Sequence, residues 1–140
     1  MKKFAQLLSL LFGAVFVYAG GVKALDPTAF LMDVRSFQML PDPSAAWLAL
    51  ALPWLEILAG LAVVTGLFRG GGLLLLNAAL IMFFIAITIA WSRGLDIRCG
   101  CFGTADSTSN YIELYVRDLV LLAVGGFLLR RHQKSTTPCP

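Results

Sequence analysis

Cys99 and Cys101 flank a single glycine in Arg98-Cys99-Gly100-Cys101-Phe102-Gly103. Two thiols this close can close a very small disulfide ring, since Cα atoms two residues apart reach the roughly 4.4–6.8 Å that the bond spans. Gly100 tolerates the backbone that such a ring demands. Strain raises the reduction potential and makes a disulfide labile, which suits exchange rather than stapling. A bridge over so short a loop also adds little chain-entropy stabilisation. Arg98 beside the pair, and Arg93 close in sequence, favour the thiolate. Two other readings stay open. The cysteines can be reduced or passively oxidised in a glycine-rich turn, or they can bind zinc or copper. A metal lacks further ligands, because the one histidine, His132, is remote and no carboxylate–histidine cluster accompanies the pair. No metal site is expected. The odd count leaves Cys139, in Thr137-Pro138-Cys139-Pro140, as a tail thiol.

A second chemistry comes from charges set among apolar residues. Glu56 is the one charge between Ala45 and Phe68. About twelve residues into a helix, it lies roughly 18 Å from the end. Buried in hydrocarbon, such a group costs several kcal/mol unless paired, and it is a functional candidate by default. Pro53, three residues earlier, removes a helix hydrogen bond and is expected to bend the chain there. Arg117 is the natural partner for Glu56, about 10 Å along a later helix, and Lys23 and Tyr18 can join them. The pair either ties two helices together or handles protons and ligands.

These residues need a frame, and the composition says which. Of 140 residues 59% are hydrophobic and 14% charged, against about 45–50% and 25% in soluble domains. A water-soluble globule and a disordered tail are excluded. Four apolar runs, Phe4–Val22, Ala45–Phe68, Leu73–Trp91 and Tyr111–Leu129, each approach the ~20 residues that cross a bilayer as a helix. None alternates apolar and polar, so membrane β-strands are excluded. The expected fold is an all-α membrane protein: a four-transmembrane-helix bundle forming one domain over residues 1–131, with a short polar cytoplasmic tail at 132–140. Met1-Lys2-Lys3 before an apolar run also describes a secretory signal. The run is longer than a signal's 7–15 apolar residues, and Gly13, Gly20 and Gly21 suit helix packing, so a retained helix is expected.

The loops follow. Between Lys23 and Ser44, Asp26-Pro27 and Pro41-Asp42-Pro43 punctuate, with Ser44 as an N-cap. Between them, Thr28 to Leu40 reads as a short amphipathic helix in the first outer loop, with Phe30, Val34, Phe37 and Leu40 at helical spacing. Arg69-Gly70-Gly71-Gly72 reads as a tight turn. Asn77 and Thr88 read as interhelical hydrogen-bonding groups. Trp47, Trp54 and Trp91 read as interface anchors and packing groups.

Four crossings place both termini on one side with Lys2, Lys3, Arg69, Arg130, Arg131 and Lys134. Lys23, Arg35, Arg93, Arg98 and Arg117 fall on the other, with every acid except Glu56. This modest bias puts the termini in the cytoplasm and Cys99 and Cys101 outside. The net charge of +3 therefore sums two faces of opposite character, and no nucleic-acid partner is expected. The lipid bilayer is the expected partner.

The assembled residues resemble the MauE family and the wider DoxX-like group of small four-helix bacterial membrane proteins. The likeness runs from Lys23 with Asp26-Pro27 and Phe30, through Val34 and Leu40-Pro41, to Leu52-Pro53-Trp54-Leu55-Glu56 with Gly60-Leu61. It continues in Arg93-Gly94, in Cys99-Gly100-Cys101-Phe102-Gly103, its most specific block, and in Arg117 at the family's arginine position. The resemblance implies a redox-associated role in the bacterial inner membrane. It implies support for maturation of the disulfide-rich small subunit of periplasmic methylamine dehydrogenase, with sulfur oxidation and quinone reduction among the DoxX-like relatives. The expectation is a thiol–disulfide relay, an oxidoreductase if it turns over. Cys99 and Cys101 exchange with an extracytoplasmic thiol-containing client or a thioredoxin-like partner, supported by Gly100, Arg98, Arg117, Glu56 and Lys23. A quinone is the candidate cofactor. Two alternatives are a non-enzymatic assembly scaffold and a quinone- or small-molecule-binding subunit.

Overall fold

The computed structural model describes residues 2–95 and 111–136, which form five helices. Arg98, Cys99, Gly100, Cys101 and Cys139 lie outside the described residues. Helix α1, Lys2–Leu25, contains no proline and stops at Asp26-Pro27. A residue before proline is pushed out of the helical region, and Asp26 sits at φ −130°, ψ 78°. Asp26 then caps α2, Pro27–Ser36: its Oδ1 accepts from the Ala29 N–H at 3.0 Å and the Thr28 hydroxyl at 2.7 Å. Pro27 fills the first helical position, where no N–H is needed. The helix expected to reach Leu40 stops at Ser36. Gln38 turns left-handed at φ 48°, its N–H donating to the Arg35 carbonyl at 3.0 Å.

Helix α3, Ser44–Thr65, runs through Pro53. Pro43 occupies its cap position, and Ser44, expected there, is the first helical residue, its hydroxyl donating to the Pro41 carbonyl. Gly66 ends α3 in the left-handed conformation at φ 81°, with its N–H on the Ala62 carbonyl. The turn is therefore 66–68. Arg69-Gly70-Gly71-Gly72, expected as the turn, is the first turn of α4, Arg69–Ser92. Glycine at 72 has a packing reason: a Cβ there would lie 2.9 Å from the Ala59 carbonyl oxygen of α3. Helix α5 is Tyr111–Thr136.

Among the described residues, three helices are long and apolar enough to cross a membrane: Lys3–Leu25 within α1, α3 and α4. Many large apolar side chains point outward, among them Leu7, Trp54, Leu58, Leu74 and Ile81. In lipid that surface has no cost, and helices associate by close packing and hydrogen bonds instead. Helix α5 is as long, but Glu113, Arg117 and Asp118 occupy its first turns and Arg130, Arg131 and Lys134 its last.

Among the described helices, α1 and α3 share the most extensive contact. A Cβ on Gly13 would fall 2.8 Å from the Gly60 carbonyl oxygen, one on Gly60 2.8 Å from that of Gly13, and one on Gly20 2.8 Å from that of Pro53. Backbones meet directly at three glycines. Beside them lies a core of Phe12, Phe16, Val63, Leu73, Leu76 and Leu128. Helix α2 lies against α3 through Phe30, Ala49 and Leu52. Between α4 and α5, the Tyr115 hydroxyl donates to Thr88 Oγ1 at 2.7 Å. Asn77 returns its amide to the Leu73 carbonyl of its own helix at 2.7 Å and packs on Gly125.

Candidate functional site

Lys23 lies three residues beyond Gly20, on the face of α1 that α3 approaches. Glu56 lies three residues beyond Pro53, whose carbonyl meets Gly20. The glycine contact therefore delivers the two side chains to each other. Lys23 Nζ donates to both carboxylate oxygens of Glu56, at 2.9 and 3.0 Å, and the side chains are 4% and 3% exposed. Two aromatic faces also flank the lysine, with the Phe30 ring centroid 5.1 Å and the Phe83 centroid 5.2 Å from Nζ. A desolvated cation gains from ring faces as well as from a carboxylate. Such a pair is costly to break from one side, because the remaining charge is buried alone.

The expected partner of Glu56 was Arg117, and the structure pairs Glu56 with Lys23 instead. The guanidinium of Arg117 turns to its chain neighbour, with Nε at 3.1 Å and Nη2 at 3.0 Å from Asp118 Oδ1. Depth along the helices had matched Arg117 to Glu56; the rotation set by Gly13, Gly20 and Gly60 favours Lys23. Asp118 was counted only among the outer acids. It is 1% exposed, and its Oδ2 is buried without a hydrogen-bond partner.

All four charged groups line one cavity of about 50 Å³, closed by apolar residues of α1, α4 and α5 such as Phe16, Leu80 and Leu121. That is room for water beside two cations and two carboxylates, a formally neutral set. The far side of Phe30 and Phe83 forms one wall of a larger cavity of about 270 Å³. It is lined by Val34, Phe37, Leu52 and Met82, and Asp33 is the one charged lining residue among the described residues. Among the described residues no cluster of three or more metal-ligating side chains occurs.

Of the other candidates, Arg98, Cys99, Gly100 and Cys101 lie outside the described residues. The chain on either side of segment 96–110 is pinned. The Tyr111 hydroxyl donates to the Leu95 carbonyl, and its ring stacks on Trp91 at 6.1 Å between centroids. Trp91 also meets Tyr115 edge-on at 5.6 Å. Sequence reasoning missed Phe30 and Phe83 as site residues, and Asp118. A signal for the pair was present: Gly13, Gly20 and Lys23 share one face of α1, and Pro53, Glu56 and Gly60 one face of α3.

Comparison with known proteins agrees with the motif likeness. The profile of the family described as methylamine utilisation protein MauE matches residues 1–131. The methylamine utilization protein MauE of Paracoccus denitrificans is 30% identical over 118 residues, covering 84% of this chain and 63% of that protein. That of Methylorubrum extorquens is 37% identical over 74 residues, covering 52% of this chain and 40% of that protein. The chain thus spans less than two thirds of the length of these relatives. No solved structure matches it. With the family profile covering all but the last nine residues, the chain belongs to the MauE family.

Proposed function

We propose that this protein is a membrane-embedded thiol–disulfide relay, acting in the process for which its relatives are named, methylamine utilisation. The observation that carries it is the Cys99-Gly100-Cys101 sequence. The chain crosses the bacterial inner membrane four times, with α5 as the fourth span, both termini in the cytoplasm and the cysteines outside. The charge asymmetry of the sequence supports that orientation.

A client thiolate attacks one sulfur of the Cys99–Cys101 disulfide. That S–S bond breaks, a mixed disulfide forms, and the other cysteine leaves as a thiolate stabilised by Arg98 or Arg117. A second client thiolate displaces the bound cysteine. The client gains a disulfide, and the pair is reduced by two electrons. Renewed turnover passes two electrons and two protons to an acceptor. A quinone is the acceptor class that suits the apolar cavity beside Phe30 and Phe83. Glu56 is held by Lys23 through both oxygens, so it positions α1 against α3. Asp118, with its unpartnered Oδ2, is the better proton carrier.

The test is trapping. Cys99→Ser and Cys101→Ser variants, expressed in cells that process methylamine, are probed for mixed disulfides with an extracytoplasmic protein. One variant is expected to accumulate such a species. Absence of any trapped partner in both, with client maturation retained, refutes the relay. A double Cys→Ser variant with full function assigns the chain to a non-enzymatic assembly role.

A further inference from the structure

The opposite end of the bundle holds a second polar site, built from the first turns of α1 and α4 and the last turns of α5. A cavity of about 570 Å³ there is lined by Gln6, Ser9, Arg69, Arg131, His132 and Lys134 among others. Among the described residues its lining contains no carboxylate. None of the chain's eight acids lies in α1, in α4 or in the second half of α5, so the positive charge is not locally neutralised by these helices.

Two buried polar atoms are unsatisfied there. Ser9 is 2% exposed and its hydroxyl has no partner; Arg69 Nε is buried and also has none. A helical serine or threonine without other work gives its hydroxyl to the carbonyl one turn back. Thr65 does so to Leu61 and Thr88 to Phe84, each at 2.8 Å. Ser9 does not. The N-terminus of α4 adds to the site, because its cap residue Phe68 gives no side-chain bond to the first-turn N–H groups. His132 packs over that first turn, where a Cβ on Gly70 would fall 3.0 Å from its ring. Unspent donors, a helix N-terminus and several cations converge in a space the size of a small-molecule site.

We propose that this basic cavity is a phosphate-binding site that holds the headgroup of an anionic phospholipid. The phosphate oxygens accept from Ser9 and the Arg69 guanidinium, with Arg131 and Lys134 supplying further charge. Acyl chains then run along the outward apolar residues of α1, such as Leu7, Leu10 and Leu11. Cation-lined pockets between membrane helices are suited to such headgroups.

The test uses the full chain purified in a neutral detergent. Phosphatidylglycerol, phosphatidylcholine and inorganic phosphate are titrated separately, with bound species read by native mass spectrometry. Phosphatidylglycerol is expected to bind in preference to phosphatidylcholine. Arg69→Gln/Arg131→Gln is expected to weaken it about 30-fold, from about fivefold per cation removed. Ser9→Ala, which deletes one oxygen and keeps the helix, is expected to weaken it about tenfold. Arg35→Gln, at the other end, serves as the control for net charge. If inorganic phosphate alone binds with the same variant losses, the site stands and its occupant is free phosphate. Equal binding of the two lipids, or losses no greater than in Arg35→Gln, overturns the proposal.

Discussion

Removing the carboxylate of Glu56 tests the centre of this fold. Glu56→Leu removes the carboxylate whose two oxygens Lys23 meets at 2.9 and 3.0 Å, and leaves an ammonium about 4% exposed beside the rings of Phe30 and Phe83. Breaking a buried pair from one side costs about 3–5 kcal/mol. At about 2–4 °C per kcal/mol for a chain of this size, the unfolding midpoint falls by about 6–20 °C. Lys23→Met, which strands the carboxylate, costs a similar amount. The double variant removes both charges and keeps most of the volume, and is expected to lie close to the wild type, because replacing a buried pair by apolar side chains is often neutral. With each single loss at about 3–5 kcal/mol and the double near zero, the coupling between the two sites is about 6–10 kcal/mol. The assay is a double-mutant cycle on the purified chain in detergent, with unfolding followed by helical circular dichroism. Additive single-variant losses, with coupling below about 0.5 kcal/mol, would show that the pair does not hold α1 to α3.

Adjacent glycines in α1 should behave oppositely. Gly20→Ala places a Cβ 2.8 Å from the Pro53 carbonyl and is expected to cost about 1–3 kcal/mol. Gly21→Ala meets nothing within 4 Å and is expected to gain about 0.5–1 kcal/mol from helix propensity; equal effects in thermal unfolding would contradict the packing. Tyr115→Phe removes the 2.7 Å bond to Thr88 and is expected to cost about 0.6–1.7 kcal/mol, read as the change in unfolding midpoint. The Asp26 carboxyl is held below its ordinary 3.8, first by the Ala29 N–H and then by the Thr28 hydroxyl. Its cap is therefore fully present above pH 3.8 and lost as pH falls through the lowered value. The stability gap between wild type and Asp26→Ala should close on acidification below 3.8, and a gap that persists at pH 2 would exclude the carboxylate cap.

Much of this fold is legible along the chain and little of it around the helices. Apolar runs mark α1, α3 and α4 because hydrocarbon demands unbroken helix. Asp26-Pro27 marks the start of α2 because both residues act locally. Its end at Ser36 is not legible, since the left-handed turn at Gln38 has no glycine or asparagine to announce it. The α3–α4 turn was misplaced for the opposite reason. Three consecutive glycines look like a turn, yet Gly70 and Gly72 are needed for the approach of His132 and the α3 backbone. In the site, Glu56 and Lys23 are conspicuous as rare charges, but sequence position fixes depth and leaves rotation free. Arg117 was matched to Glu56 on depth alone. Ser9 carries no sequence signal, because an unspent hydroxyl shows itself only once its neighbours are in place.

The ion pair also has a history in time. Lys23 and Glu56 are 33 residues apart in sequence. At about 5–20 residues per second, the ribosome completes the lysine about 2–7 s before its carboxylate exists. For that interval α1 carries in its last turn a cation whose carboxylate at Glu56 has not been made. The first helix therefore reaches its lowest energy only after the third emerges, and the two settle as a hairpin with α2 folded between them. Biosynthetic order, as well as final contact, is written into where the two charges stand.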